Sequence, residues 1–408
     1  MIRATVIALS ALLLAAAFLF VGHGMQSTLV PLSADGAGYS RFVIGLLWSG
    51  YAGGLMTGAL YCGRIIAAVG HIRAFAALMS CVAAATLLYA FAPTPAIWLV
   101  LRFIHGFMIA GVFMIIESWL NGRAINELRG LVLAIYASLS LIMISFGQLA
   151  INLLPVEDPR LYSLAGLAML LAVVPVALTR SKAPPPIASV SVNLRRLWES
   201  SRVAVVGSLA AGLTTSAFWG LGPVFGSAAG LDPAAISLYL SVTVMGGAVG
   251  QWVLGRMSDL MDRRRVVAIA AFGAGLAGIG MALLADRSLG LLLLASFFFG
   301  AFTFCISSIC VAMAGDRAEP HEFVEISGGL LFLFSSGSVL GSIIASMFMD
   351  FLGGWALYLF TAICHGTLVV AAIALSRIRP PVAAEDKREF HPVPTTSQEI
   401  YTIDPRGQ

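Results

Sequence analysis

Charge is what this chain has least of. Its 24 lysines and arginines and 20 acids make up 11% of 408 residues, while 59% are apolar. A soluble domain carries about 25% charged and about 45–50% apolar residues. This composition, with a mean hydropathy of +0.93, therefore excludes an ordinary soluble enzyme. Cysteine is scarce too. The five, Cys62, Cys81, Cys305, Cys310 and Cys364, lie in apolar runs with no C-x-x-C pair and no metal-ligand spacing. They are expected to be small core residues, and no metal or cofactor is expected. No Walker sequence is present to hold ATP. The stretch "HEFVE", from His321 to Glu325, has Glu325 where a zinc site would need a second histidine. No nucleophile–base set emerges, so neither catalysis nor a nucleic-acid partner is expected.

Glycine, by contrast, is abundant at 42 residues, a usage that membrane helices favour for close contact. Apolar runs of spanning length recur at 4–30, 40–62, 74–92, 96–120, 131–153, 161–179, 203–225, 234–254, 266–285, 289–314, 324–349 and 355–376. A run of about 20 such residues crosses a bilayer as a helix, because lipid offers backbone groups no hydrogen-bond partner. The first run resembles a secretory signal through Arg3 and Ala15-Ala16-Ala17, but it continues to Val30 without a polar break. It is read as an uncleaved span, which gives twelve.

Arginine placement sets the orientation. Arg64, Arg73, Arg123, Arg129, Arg180, Arg256, Arg263, Arg264, Arg265, Arg317 and Arg377 fall on one side, and only Arg41, Arg160 and Arg287 on the other. The basic side is expected to be cytoplasmic, with both termini, in a multi-pass protein of the inner membrane. Residues 181–201, "SKAPPPIASVSVNLRRLWESS", are Pro-rich and then basic around Trp198, and read as a linker able to lie on the inner leaflet. They join a six-helix half at 1–180 to another at 202–378. Residues 379–408 are polar and without an apolar period, and read as a disordered cytoplasmic tail.

The halves repeat. Shifted by 192, residues 29–73 match 221–265 without a gap at twelve positions, among them Pro31/Pro223, Gly38/Gly230, Gly54/Gly246, Gly58/Gly250, Arg64/Arg256 and Arg73/Arg265. With a shift of 194 the match resumes at Gly106/Gly300, Arg123/Arg317 and Gly147/Gly341. The expected fold is all-α: twelve transmembrane helices in two pseudo-symmetric halves related as parallel repeats. Gly54/Gly58 and Gly337/Gly341, small residues four apart, are expected to allow close helix crossings.

One dense knot of charge remains, "VLGRMSDLMDRRR" from Val253 to Arg265, opposite "CGRIIAAVGHIRAF" in the first copy. Here the chain resembles the major facilitator superfamily, which carries G-x-x-x-D-x-x-G-R-R at both turns. The second copy keeps Gly255, Asp259, Arg263 and Arg264, with Asp262 where the second glycine is usual; the first has Ala67 in place of the aspartate. Arg102-Phe-Ile-His-Gly106 matches the family's R-x-x-x-G of helix 4. "FMIIESWLNGRAINELRGLVLAIY", through Glu117-Ser118 and Arg129-Gly130, looks most like the YcaD-like branch.

The resemblance implies a secondary carrier that rocks two halves around a central site, with no cofactor. It implies that Asp259, Arg263 and Arg264 latch the halves, Asp259 facing the start of helix 5 at Arg129. A turn that merely supplies positive charge is the plainer alternative. Glu117, the only carboxylate inside a first-half helix, is implied to pair with Arg64 or Arg73; a proton-carrying role is the alternative. Arg102 is 15 residues from Glu117, about 22 Å along a straight helix, so it needs another acceptor: carbonyls, a polar side chain or an anionic solute.

Helices 1, 4, 7 and 10 line the cavity in the family, which makes His23, Gln26, Arg102, His105, Phe218, Trp219 and Phe302 its wall candidates; packing is the alternative for each. With one arginine and almost no acid, such a wall suits a small neutral or anionic metabolite. The helix-5 signature of antiporters, G-P-x-x-G-G, is absent from "SLIMISFGQLAINLL". Proton coupling stays open. Efflux of amphiphilic drugs is the alternative, and a non-transporting sensor or scaffold a less favoured one. A monomer in the lipid bilayer is expected.

Overall fold

The computed structural model describes residues 2–91, 94–123, 129–179, 194–318 and 323–377, with Val382, Lys387 and Phe390. The side chains of Arg123, Arg129 and Gly130 lie outside the described residues. Among the described residues, twelve helices are long and apolar enough to cross a membrane. The first six are α1 (Ile2–Gly36), α2 (Arg41–Val69), α3 (His71–Leu88), α4 (Pro95–Arg123), α5 (Arg129–Ala150) and α6 (Arg160–Leu171, resumed at Val173–Ala177). A short helix, Leu194–Ser200, precedes α7 (Arg202–Ala228), α8 (Pro233–Leu260), α9 (Arg263–Leu284), α10 (Leu289–Thr303, resumed at Ile306–Gly315), α11 (Phe323–Leu352) and α12 (Ala356–Ser376). Of the linker, residues 181–193 lie outside the described residues.

Each apolar run becomes a helix, but α2 and α8 run on past theirs, to Val69 and Leu260. Beyond the apolar core a helix needs no apolar residues, and the charged knot continues it. Arg256 and Asp259 therefore sit in the last turns of α8, Asp262 caps α9, and Arg263 to Arg265 form its first turn. The turn proper is only Met261 and Asp262.

The repeat has a structural meaning at several of its matched positions. Gly38 and Gly230 both take positive φ, 77° and 76°, a left-handed conformation that favours glycine. Each closes a helix in the same way: Tyr39 N–H reaches back to Ala34 O, and Leu231 N–H to Gly226 O, both at 3.0 Å. These are the six-to-one bonds of a glycine-terminated helix. Pro31 and Pro223 lie inside α1 and α7.

Matched glycines also set the crossings. A Cβ at Gly54 or Gly58 in α2 would collide with the carbonyls of Phe103 or Phe107 in α4, and one at Gly106 with Tyr51. In the second copy, Gly246 and Gly250 of α8 lie against Phe297 and Ala301 of α10, and Gly300 against Thr243. Gly24 and Gly147 bring α1 onto α5; Gly212, Gly337 and Gly341 bring α7 onto α11. Small residues let helix backbones approach in lipid, where dispersion rather than water exclusion drives association.

The chain forms two compact units. One holds α1 as far as Val30, Gly50 onward in α2, and α3 to α6; the other holds Pro31–Ser49 together with α7 to α12. The end of α1 and the first turns of α2 are fastened within the second unit. Asp35 accepts from Ser227 Oγ at 2.6 Å, Arg41 donates to Met349 O at 2.6 Å, and Ser49 Oγ bonds Val339 O and Ser342 Oγ at 2.6 and 2.9 Å. Cys62, Cys305 and Cys310 are buried as expected, but Cys81 is exposed: α3 turns that side outward, where a lipid-facing cysteine serves as well as any apolar residue.

Candidate functional site

A polar cluster lies inside the first unit, built from α1 to α4. Gln26 on α1, completely buried, donates through Nε2 to Thr86 Oγ1 on α3 at 3.0 Å and lies 3.1 Å from His105 Nδ1 on α4. Its Oε1 faces Arg102 Nη1 at 3.5 Å. Arg102 is 1% exposed, and its guanidinium carbon sits 5.6 Å from the ring centre of Tyr51 on α2, a cation–π distance. His23 completes the group, its ring 5.7 Å from Tyr51 and 6.4 Å from His105.

This network fixes its own protons. Arg102 has only donors, so Gln26 must turn its oxygen to the guanidinium and its amide N–H groups to the other neighbours. Thr86 Oγ1 donates to Val82 O at 2.8 Å and is free to accept. His105 Nδ1 must then accept from Gln26, which makes the ring neutral and leaves its proton on Nε2. That Nε2 is buried and has no partner among the described residues, as is Nδ1 of His23. The cluster thus holds one buried donor, the His105 Nε2–H, with no acceptor among the described residues.

The sequence brought His23, Gln26, Arg102 and His105 forward, and the structure brings those four together. It missed Tyr51 and Thr86, which nothing in their local sequence distinguishes from packing residues.

Glu117 is also fully buried, lower in α4, and accepts from Tyr136 Oη on α5 at 3.3 Å. Its implied partners, Arg64 and Arg73, are exposed, and Arg64 instead lies over the Tyr61 ring at 5.7 Å. Tyr136 carried no signal beyond its place near the start of α5.

In the second unit Phe218 and Trp219 of α7 form an aromatic group with Phe304 of α10 and Trp48 of α2. Trp219 lies nearly parallel to Trp48 and to Phe304, with centroids 6.4 and 6.1 Å apart. Phe218 meets Trp219 and Phe304 edge-on at 5.3 and 5.6 Å. Phe302 is elsewhere, stacked on Phe298 at 6.3 Å and pressed against Gly273 of α9. Two residues along the chain, a break in α10 between Thr303 and Ile306 presents Phe304 to α7 in its place.

The charged knot organises the arginine-rich end of the second unit. Arg263 and Asp316 form a buried ion pair at 2.7 Å, their side chains 2% and 3% exposed. Arg263 also reaches Asp259 at 3.1 Å and Ser258 Oγ at 2.8 Å. Arg264 grips Asp262 at 2.8 Å and the Ser376 carbonyl at 3.1 Å. Burial pushes the Asp262 carboxyl up. Hydrogen bonds from Arg264, side chain and backbone, with the charges of Arg264 and Lys387, outweigh that and hold it below the usual carboxylate range. A cavity of about 50 Å³ opens here beside Arg202, Asp262, Asp316, Arg317 and Lys387. Asp259 has a second partner in the Phe390 backbone N–H, at 3.0 Å. Of the tail read as disordered, Val382, Lys387 and Phe390 are described, and the rest lies outside the described residues. No group of three or more potential metal ligands occurs among the described residues.

Comparison with known proteins agrees with this architecture. The family model described as Major Facilitator Superfamily matches residues 204–405. The uncharacterized MFS-type transporter YcaD of Salmonella typhimurium is 27% identical over 331 residues, 79% of this chain and 84% of that protein. The crystal structure of the nucleoside transporter NupG superposes with a TM-score of 0.72 over 91% of this chain and 98% of that one, at 14% identity. A bacterial homolog of the human lysosomal transporter Spinster gives a TM-score of 0.73 over 94% and 98%, at 15% identity. At such identities the structures speak for the fold alone. Twelve spanning helices among the described residues, the loop sequence at the α8–α9 turn and these matches agree: the chain is similar to the multi-pass transporters of the Major Facilitator Superfamily, YcaD among them.

Proposed function

We propose that this carrier moves a small solute bearing acceptor oxygens, a neutral or anionic metabolite, across the inner membrane by alternating access. Both termini lie in the cytoplasm in this reading, and the chain works as a monomer. The observation that carries it is the donor-rich cluster of Arg102, Gln26 and His105. A guanidinium in a membrane helix is costly and is retained where it has work to do. Charge-assisted hydrogen bonds to a carboxylate or phosphate are about twice as strong as neutral ones. Glu117, His23 and His105 are the titratable groups available if protons are coupled.

A second reading, efflux of amphiphilic compounds, is favoured by the aromatic group of Trp219, Phe304 and Trp48, whose faces would suit flat apolar rings. Thermal unfolding of the purified protein in detergent separates the two, because a ligand of the native state raises Tm by mass action. Anionic metabolites are expected to raise the Tm of wild type and to leave Arg102→Gln unmoved. Stabilisation of both proteins alike, by amphiphilic cations only, would favour efflux.

A further inference from the structure

Beyond the last spanning helix, Lys387 and Phe390 are held against the α8–α9 turn by three unlike contacts. The Phe390 ring, 8% exposed, fills a notch at Gly255, where an added Cβ would collide with two of its ring carbons. The Phe390 backbone N–H donates to both carboxylate oxygens of Asp259, at 3.0 and 3.2 Å. Lys387 Nζ donates to Met261 O at 2.6 Å. Met261 is the C-cap of α8, the place where a helix leaves carbonyls unsatisfied and attracts a cation.

A buried aromatic ring in an otherwise polar terminal segment is the informative part. Nothing in a solvated tail calls for phenylalanine to leave water, whereas a preformed notch does. Gly255 supplies that notch one turn before Asp259, so the ring and the N–H of one residue are read by two residues on the same helix face. Asp259 in turn holds Arg263 at 3.1 Å, which ties the tail to the buried pair with Asp316. In the first copy Ala67 stands where Asp259 does, so the turn between α2 and α3 has no carboxylate for such a contact.

We infer that the tail, through Lys387 and Phe390, is a strap docked on the α8–α9 turn, and that undocking it releases both the turn and the Asp259 carboxylate. Any group that engages Asp259 in another state of the carrier must first displace the Phe390 N–H. The strap therefore gives the tail a hold on the α8–α9 turn. Anything that withdraws the tail would act at this turn.

The test uses the full-length protein in detergent, as wild type, Phe390→Ala, Gly255→Ala and, as a control at an exposed site, Asp286→Asn. Trypsin cleavage after Lys387 reads docking, with cleavage after Arg406 as the internal reference. Amide hydrogen exchange across 256–262 reads the freedom of the turn. Phe390→Ala is expected to speed cleavage after Lys387 about tenfold and to raise exchange in the turn several-fold, since local opening governs both rates. Gly255→Ala should do the same from the other side of the contact, and Asp286→Asn should change neither. Should Gly255→Ala fail to fold, Phe390→Ala decides alone, because it removes only a tail side chain. Wild type cut after Lys387 as fast as after Arg406, or unaltered by Phe390→Ala, would overturn the docking. Faster cleavage without faster exchange would show a docked tail that restrains nothing, and would overturn the strap.

Discussion

The α2–α3 and α8–α9 turns descend from one repeated sequence, yet they are held by different chemistry. In the second copy Arg263, buried, pairs with Asp316 at 2.7 Å and with Asp259 at 3.1 Å. The residue matched to it in the first copy is His71, which is also buried and lies 3.5 Å from a hydroxyl, Ser118 Oγ, beside the Trp119 ring. Ala67 replaces Asp259, and Arg73 is exposed. The second copy thus places a buried ion pair where the matched position of the first copy holds a histidine beside a hydroxyl. The lesson is that a buried charge commits its neighbours. Once Arg263 is inside, Asp316, Asp259 and Ser258 must follow, whereas His71 can be satisfied cheaply.

Breaking the ionic core is expected to have the largest effect. Asp316→Ala leaves Arg263 buried beside one fewer carboxylate, and removal of one partner of a buried pair costs about 3–5 kcal/mol. His71→Ala should cost no more than about 1–2 kcal/mol, the loss of a weak hydrogen bond and some packing. Thermal unfolding of both variants reads the difference. Equal losses would mean that the two turns are held alike after all.

The glycine crossings should respond the same way in both copies and so sharpen the contrast. Gly54→Ala and Gly250→Ala each force a Cβ into a facing carbonyl, an overpacking that costs about 1–3 kcal/mol. Gly53→Ala, with nothing within 4 Å of its added Cβ, should be neutral or stabilising by up to about 1 kcal/mol through helix propensity. The smallest effect is expected from Ala67→Asp. The carboxylate it restores has His71 rather than an arginine at the matched position, so Tm should move by no more than a surface substitution does, about 0.5 kcal/mol or less.

Much of the fold was legible because lipid leaves few choices. Twelve apolar runs became helices, and several glycines matched between copies, Gly54/Gly246, Gly58/Gly250 and Gly106/Gly300, turned out to be crossings. The ends of α2 and α8 were less legible, since hydropathy reports the bilayer and not where a helix stops; the charged residues read as a loop are mostly helical. At the site, Arg102 and Gln26 stood out because a polar group in an apolar run is conspicuous. Tyr51 and Tyr136 did not, as a tyrosine among apolar neighbours looks like packing until its hydroxyl or ring face is placed. Phe302 failed to join the aromatic group because the break in α10 rotates the chain, and no residue between Thr303 and Ile306 announces it. Asp316 stands beside Arg317 at the end of an apolar run, and nothing in its local sequence marks it as the partner of Arg263.

The central claim is that the neutral-histidine, single-arginine cluster of the first unit recognises the solute. Its most direct test is uptake into proteoliposomes of the anionic metabolite that most raises the Tm of wild type, measured for wild type and Arg102→Gln. The account predicts saturable flux for wild type and a loss of at least about a hundredfold in the variant, the scale of one charge-assisted contact of about 3 kcal/mol. Equal, saturable flux in both proteins would contradict it, and absence of flux in wild type would contradict transport of that solute altogether.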